Sequence, residues 1–366
     1  MNGTFGDLSI VNTFINSSLH NNSLQILDGK DTNNTAEKYD PTPSVAFLAT
    51  IFPLMVAGNI CVLTLIFRKR GSKTRMDILF ANTACADLSV AFFLVLSDLF
   101  WHQAGHWYAG NAMCKIVKYF ALVATYSSNY AIVVLSLDRC NSVARPMQSF
   151  SRGLKGCRWY IGTSWGLSFL FSISSLVLFR VQNDKDGQPQ CGNVEMNVIQ
   201  WKIYFTLGAV LMLVIPAIII TICYTIIVVV VWKNSAFTPS DRDCKSNSNA
   251  TTLIKDTTTL PNGRKTFSRA KIKSIKITFG IVIAFILSWS PYFIFNFLVV
   301  YHHIKIDSNR MYEISMMFQL LAPINSLANP MIFLIFNGKK YLQLCKNTDH
   351  VKFHTDTHTH TPGATL

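Results

Sequence analysis

Long apolar stretches alternate with short polar and basic ones along this chain. Seven of the apolar stretches approach or exceed the roughly 20 residues that a helix needs to cross a bilayer. The pattern predicts spans at Ser44–Phe67, Asp77–Leu99, Met113–Val143, Cys157–Phe179, Trp201–Trp232, Ile272–Tyr301 and Met311–Phe336. Isolated strands and open sheet edges leave backbone groups unpaired in lipid, so spans of this length are helices. After the seventh, Asn337–Lys346 is basic and amphipathic, with Tyr341, Leu342 and Leu344 apolar, and reads as a short helix on the membrane surface. The expected fold is an all-α membrane protein, a seven-transmembrane helix bundle with that amphipathic helix appended.

Composition and charge sharpen this. Only 14% of residues are charged and 50% are hydrophobic, whereas soluble proteins carry about 25% charged residues. A soluble two-domain enzyme and a disordered chain are both excluded. The excess of 33 Lys and Arg over 19 Asp and Glu would suit nucleic acid, but its placement argues otherwise. Arg68, Lys69, Arg70, Lys73 and Arg75 crowd the first loop; Arg145, Arg152, Lys155 and Arg158 mark the second connection on that side. The third runs from Lys233 to Arg269 and on into Lys271, Lys273 and Lys276. The opposite loops hold few basic residues, such as Arg180, Lys185, Lys305 and Arg310. Positive loops stay in the cytoplasm. The N-terminus is therefore expected outside and the C-terminus inside a plasma-membrane protein, and nucleic acid is no expected partner.

Three regions follow. Residues 1–43 lack a basic-then-apolar leader, so the first span is expected to start insertion itself. This tail holds four N-x-[ST] sequons, at Asn2, Asn16, Asn21 and Asn33, and reads as a glycosylated extracellular segment. Residues 44–336 form the membrane domain. Its third intracellular loop, about 233–271, is rich in Ser, Thr, Asn and Lys and is predicted to be largely disordered, and its sequon at Asn249 should carry no glycan. Residues 337–366 form the amphipathic helix and a cytoplasmic tail. There Cys345 is either a palmitoylation site or an unmodified thiol, and the His-Thr run from His354 to His360 reads as low-complexity tail rather than a metal site.

Polar residues inside the spans are candidates for function, because charge in the bilayer is costly. Asp87, Ala91, Leu94, Asp98 and Trp101 share one helix face, with Asp87 near mid-membrane and Asp98 near the outer mouth. A buried carboxylate needs a proton, a cation or hydrogen-bond donors. Asn59, Asn325, Ser326 and Asn329 lie at a similar depth, so Asp87 either holds a sodium-sized cation with them or joins an ion-free polar network. Asp138-Arg139-Cys140 ends the third span, where Arg139 either snorkels or pairs with Asp138 as a latch. Pro53, Pro216, Pro291, Pro323 and Pro330 can each kink a helix.

In order along the chain stand Gly58-Asn59, Asn82 with Ala86-Asp87, Asp138-Arg139, Trp165, Pro216 with Tyr224, Phe285 with Trp289 and Pro291, and Asn325-Ser326 with Asn329-Pro330. On these motifs, each in its own span, the chain resembles the rhodopsin-like (class A) G-protein-coupled receptors from Ser44 to about Lys346. The runs Cys114–Tyr119, Thr125–Tyr130, Ser136–Arg139 and Arg145–Met147 resemble the branch of crustacean cardioactive peptide, neuropeptide S and vasopressin/oxytocin receptors. Ser97-Asp98, Trp101 and Ala109-Gly110-Asn111 lean towards the first two. The resemblance implies a disulfide between Cys114 and Cys191, no enzyme activity, and no cofactor beyond the candidate sodium ion. The partners it implies are an extracellular neuropeptide, a heterotrimeric G protein, arrestin and membrane lipid.

The candidate ligand pocket comprises Asp98, Trp101, Lys118, Tyr292, Asn296 and Gln319; Asp98 and Lys118 either grip the peptide or form a structural ion pair. The expected switch comprises Asp138, Arg139, Tyr224, Phe285, Trp289, Pro291, Asn329 and Pro330, with the sixth helix swinging outward about Pro291. Cys140, Ser288 and Phe333 depart from the family's Tyr, Cys and Tyr, and Ala121 stands where the vasopressin branch has Gln.

Rival chemistries fare worse. Gly162-Thr163-Ser164-Trp165-Gly166 fits the hydrolase pattern G-x-S-x-G, but it lies within a membrane helix rather than at a strand-to-helix elbow. The same residues form Gly-x-x-x-Gly, a close-packing motif. A transporter or channel predicts midplane charge and repeated spans, and the chain offers Asp87 and no repeat. Within the receptors, an opsin needs a Lys in the seventh span and an aminergic receptor an Asp at Ala121, so a peptide ligand is favoured over a non-peptide one.

Overall fold

The computed structural model describes residues 42–69, 71–183, 187–236, 263–302, 314–315 and 317–356; at 146, 148–152, 234–236, 263–274, 302, 339–342 and 344–356 it describes backbone alone. Among the described residues, seven helices are long and apolar enough to cross a membrane, as expected: Thr42–Arg68, Arg75–Ala104, Gly110–Ala144, Gly153–Leu178, Val198–Lys233, Ile275–Tyr301 and Met317–Gly338. The sequons at Asn2, Asn16, Asn21 and Asn33 lie outside the described residues, and so does the Cys345 side chain.

The first span is helix α1, Thr42–Arg68. Its last carbonyls would be orphaned at the helix end, and Lys73 supplies them: its Nζ donates to Ile66 O at 2.7 Å and to Phe67 O at 3.1 Å. Thr74 then opens α2, Arg75–Val90, with a capping box. The Asp77 amide donates to Thr74 Oγ1 at 3.3 Å while the Thr74 amide donates to Asp77 Oδ2 at 2.8 Å. The basic first loop is thus a pair of caps as well as an orientation signal.

The second span departs from the regular helix. Between α2 and α3, Leu96–Ala104, lies a π turn at Ala91–Val95, where the Leu96 amide donates to Ala91 O. The hydroxyl of Ser97 serves the loosened carbonyls, donating to Phe93 O at 2.6 Å and Leu94 O at 2.9 Å. The constant 3.6-residue period from Asp87 to Trp101 is therefore interrupted. The third span is α4, Gly110–Ala144, enclosed by the others along most of its length. In α5, Pro146–Leu178, Gly153 has φ 51°, a left-handed backbone that favours glycine, and the membrane-spanning part begins there.

A two-stranded antiparallel hairpin, β1 at Phe179–Asn183 and β2 at Pro189–Asn193, follows the fourth span. It departs from an all-helical chain, and hydropathy spans could not foresee it. The expected disulfide is present: Cys191 of β2 is bonded to Cys114 at the head of α4. The fifth span is α6, Val198–Ala209, a π turn at Val210–Val214, and α7, Ile215–Ala236. Here the cause is Pro216, which has no N–H to donate. The carbonyl of Leu211, in register for that missing donor, accepts from the Tyr130 hydroxyl of α4 at 3.2 Å.

Helix α8, Gly263–His302, begins nine residues before the predicted Ile272, since hydropathy reports lipid and not helix. Helix α9, Ala322–Asp356, includes the expected Asn337–Lys346 stretch as helix, continuous with the seventh span. Of the third loop, residues 237–262 lie outside the described residues.

The fourth span meets the third through serine, not glycine. Ser164, Ser168, Ser172 and Ser175 are buried on one face, and each hydroxyl returns to its own helix, as with Ser172 to Ser168 O at 2.7 Å. Gly162 and Gly166 instead face open space, so their Gly-x-x-x-Gly does not pack within the bundle. A true close approach lies at Gly58, where an added Cβ would stand 3.2 Å from Pro330 Cγ of the seventh span. Gly58→Val should therefore destabilise by about 1–3 kcal/mol, read as a lower melting temperature of the detergent-solubilised chain, while Gly162→Val should leave it unchanged.

Candidate functional site

Three sets of polar side chains lie along the bundle. The first lines a cavity of about 510 Å³ beneath the hairpin. Asp98, Trp101, Lys118, Tyr292 and Gln319 all line it. Asn296 does not. It is buried behind the wall, donating to Tyr292 O at 2.8 Å and accepting from Ser315 Oγ at 3.4 Å. Its step of four from Tyr292 placed it on the right face but one turn beyond the opening.

Lys118 Nζ lies 3.4 Å from Asp98 Oδ1 and 5.0 Å from the centroid of the Trp101 ring. Asp98 and Lys118 thus pair with each other at the mouth of the cavity. Trp101 is held in turn: its Nε1 donates to Gln190 Oε1 of β2 at 3.0 Å, and Gln190 Nε2 donates to Gly105 O at 2.8 Å. Because the Cys114–Cys191 bond pins β2 to the head of α4, the hairpin fixes Trp101 and through it the ammonium of Lys118. Below this pair the lining carries no formal charge: Ala121, Leu122, Thr125, Tyr126, Met212 and Trp289. Tyr204, Gly208 and Leu211 add a wall that the sequence reading missed. Their spacing of four and three was the available signal, hidden because most neighbours in that span are apolar too.

The second set surrounds Asp87, which is fully buried. Ser128 Oγ donates to its Oδ1 at 2.6 Å and Asn329 Nδ2 to its Oδ2 at 2.9 Å. Ser326 Oγ lies 3.3 Å from Ser128 Oγ, and Asn59 Nδ2 donates to Ser326 O at 3.4 Å. The expected members Asn59, Ser326 and Asn329 come together with Ser128, a polar residue the sequence reading had quoted only as part of a family run. Asn325 is buried too, and the Oδ1 atoms of Asn325 and Asn329 have no hydrogen-bond partner. A buried carboxylate with unpaired carbonyl oxygens nearby is the donor set of a hard cation, so these residues fit a small ion such as sodium.

The third set lies at the opposite end from the hairpin. Asp138, also fully buried, accepts from Arg139, so that Arg139 pairs rather than snorkels, and from Arg75 at the start of α2. Arg75 had been read only as topology charge. Tyr224 packs against Phe279, ring centroids 5.8 Å apart, rather than joining Arg139. Phe285 is fully buried, and Trp289 stacks near Phe293 at 5.8 Å, with its Nε1 lacking a partner. Phe333, in place of the usual Tyr, seals against Phe80 at 4.8 Å. Pro330 meets Gly58, and Pro291 lies inside α8.

Known proteins resemble this chain closely. The profile described as "7 transmembrane receptor (rhodopsin family)" matches residues 58–333. The chain is 32% identical to the neuropeptide S receptor of Rattus norvegicus over 298 residues, covering 81% of this chain and 77% of that one. It is 32% identical to the mesotocin receptor of Rhinella marina over 340 residues, 92% of this chain and 84% of that one. It is 31% identical to the isotocin receptor of Catostomus commersonii over 319 residues, covering 84% and 79%.

Two outcomes test the geometry. Asp98→Lys should lower the melting temperature, and adding Lys118→Asp should recover part of the loss; a pair whose side chains are each 18% exposed contributes on the order of 1 kcal/mol. Replacing choline chloride with sodium chloride should raise the melting temperature of the purified chain by mass action, and Asp87→Asn should abolish that rise.

Proposed function

The chain belongs to the rhodopsin family of seven-transmembrane receptors, and from that premise we propose that it is a plasma-membrane receptor for an extracellular neuropeptide that signals through heterotrimeric G proteins. The observation that carries this reading is the cavity beneath a disulfide-pinned hairpin, about 510 Å³ and lined by aromatic side chains with one charge pair at its mouth. The relatives named as receptors for neuropeptide S, mesotocin and isotocin support a peptide ligand. The hairpin end faces outside and the basic loops face the cytoplasm, on the strength of the charge asymmetry. The glycans at Asn2, Asn16, Asn21 and Asn33, the lipid at Cys345 and the binding of arrestin belong to the same proposal.

In the resting bundle Arg139 is committed to Asp138. A peptide in the cavity presses on Trp289 and Tyr292, which line it, and favours the arrangement in which α8 swings about Pro291. Arg139 then leaves Asp138 for Tyr224 and the G protein. Removing one partner of a buried ion pair ordinarily leaves an uncompensated charge at a cost of about 3–5 kcal/mol. Here Arg75 remains on Asp138 when Arg139 departs, so the carboxylate is never bare and the step is cheaper.

Cells expressing the chain and exposed to a panel of amidated and disulfide-closed neuropeptides should respond in calcium or cyclic AMP. A response to small non-peptide transmitters alone would overturn the peptide reading. Arg139→Ala should abolish the response with surface expression retained. Arg75→Gln should lower basal signalling and raise the agonist concentration required about tenfold; raised basal signalling instead would mean that Arg75 tightens the latch.

A further inference from the structure

Asn129 of the third span is 1% exposed, and neither its Oδ1 nor its Nδ2 has a hydrogen-bond partner. Among the described residues, no other side-chain amide is buried with both atoms unpaired. Two other buried asparagines show what is open to such a residue in a helix. Asn59 donates to Met55 O at 3.0 Å and Asn296 to Tyr292 O at 2.8 Å, each to the carbonyl four residues back. Asn129 makes no such bond to Thr125 O. Its chain neighbours are both paired, Ser128 to Asp87 and Tyr130 to Leu211 O.

Helix geometry says which way the amide faces. Lys118, Ala121, Leu122, Thr125 and Tyr126 line the cavity from the third span. Asn129 lies four residues after Thr125 and three after Tyr126, so it continues the same face one turn deeper. The third and sixth spans pack against each other. Trp289 lines the cavity from the sixth span, and Phe285, one turn deeper on that helix, is fully buried. Both precede Pro291, and so belong to the half of α8 that moves when the helix swings about that residue.

We propose that the unpaired amide of Asn129 raises the free energy of the resting bundle and so biases the chain towards the signalling arrangement. A buried donor or acceptor without a partner bears its full desolvation cost, and lipid around the bundle supplies no substitute. When the inner half of α8 swings away, carrying Phe285 and Trp289, the gap beside the third span opens to water and the amide is hydrated. The cost is then present in one arrangement and absent in the other, which is what shifts a two-state equilibrium without a ligand. Asn129 thus opposes the Asp138–Arg139 pair, which holds the bundle at rest. The bias on signalling rests on the receptor reading; the cost in the resting bundle does not.

Two variants test this. Asn129→Leu keeps the branch at Cγ and removes both polar atoms, and Asn129→Val does the same with less bulk. The melting temperature of the purified full chain should rise by about 2 °C or more in at least one of them. A fall in both overturns the resting cost, since it would mean that the amide is paired at rest. In cells, calcium and cyclic AMP without agonist, normalised to surface expression, should exceed those of mock-transfected cells for the parent chain. They should fall about threefold or more in the stabilised variant. That variant should also need an about threefold higher concentration of whichever amidated or disulfide-closed panel peptide activates the parent. A purely structural role for Asn129 would move the melting temperature alone. A raised melting temperature with undiminished basal signalling therefore overturns the bias. So does a parent chain that answers a panel peptide yet signals no more than mock-transfected cells without it. A chain silent both with and without the panel fails the receptor reading, and the melting temperatures still decide the resting cost.

Discussion

Lipid hydrocarbon offers no hydrogen bonds, and each polar group inside the seven spans must find its partner within the bundle. That constraint decides which helices meet. The indole of Trp165 in the fourth span donates to Asn82 Oδ1 in the second at 2.9 Å. Asp87 draws Ser128 and Asn329 from the third and seventh spans to itself. Tyr130 reaches across to the carbonyl that Pro216 leaves without a donor. Apolar packing alone would leave the helices free to rotate and slide, because lipid tails compete for the same faces. These polar contacts fix both register and neighbour.

The third span is where the contacts converge. Along one helix, Cys114 carries the hairpin, Lys118 the charge pair, Ser128 the Asp87 network and Asp138 the double arginine contact. Its enclosure by the others follows, since a helix with polar residues on several faces has nothing to gain from lipid. It touches all three candidate sites, as does the second span through Asp98, Asp87 and Arg75. In the proposed activation, movement at the cavity passes to the Asp138–Arg139 pair through the helices packed against the third span, with α8 swinging about Pro291.

The seven spans could be read from hydropathy because a run of about 20 apolar residues has few other uses. Their ends could not. Helix α8 starts at Gly263 and α9 runs on to Asp356, since backbone hydrogen bonds continue where lipid stops. The π turns escaped for a different reason. Pro216 flagged a disturbance near its own turn, whereas Ala91–Val95 depends on Ser97 serving two carbonyls, which no periodicity encodes. At the sites, Asp87 and Asp98 stood out because charge is rare in a span. Arg75 did not, because a basic residue in a basic loop has a sufficient topological explanation. Tyr204 was masked by apolar neighbours, and Asn296 was placed by angle alone when depth decided against it.

Two of the buried aspartates, Asp87 and Asp138, differ in what surrounds them, and the difference suits their proposed roles. Asp87 is met by neutral donors, Ser128 and Asn329, so its charge is solvated but not cancelled, and a mobile cation or proton can complete it. Asp138 is met by two guanidinium groups, one more positive charge than it needs. A carboxylate with a surplus of partners can release one without becoming bare, and a carboxylate short of a partner can take one up. The first arrangement favours exchange of a protein cation at the end opposite the hairpin, the second binding of a small ion at mid-bundle. In the proposed activation Arg139 is the partner that exchanges, while Arg75, at the capped start of α2, stays on Asp138.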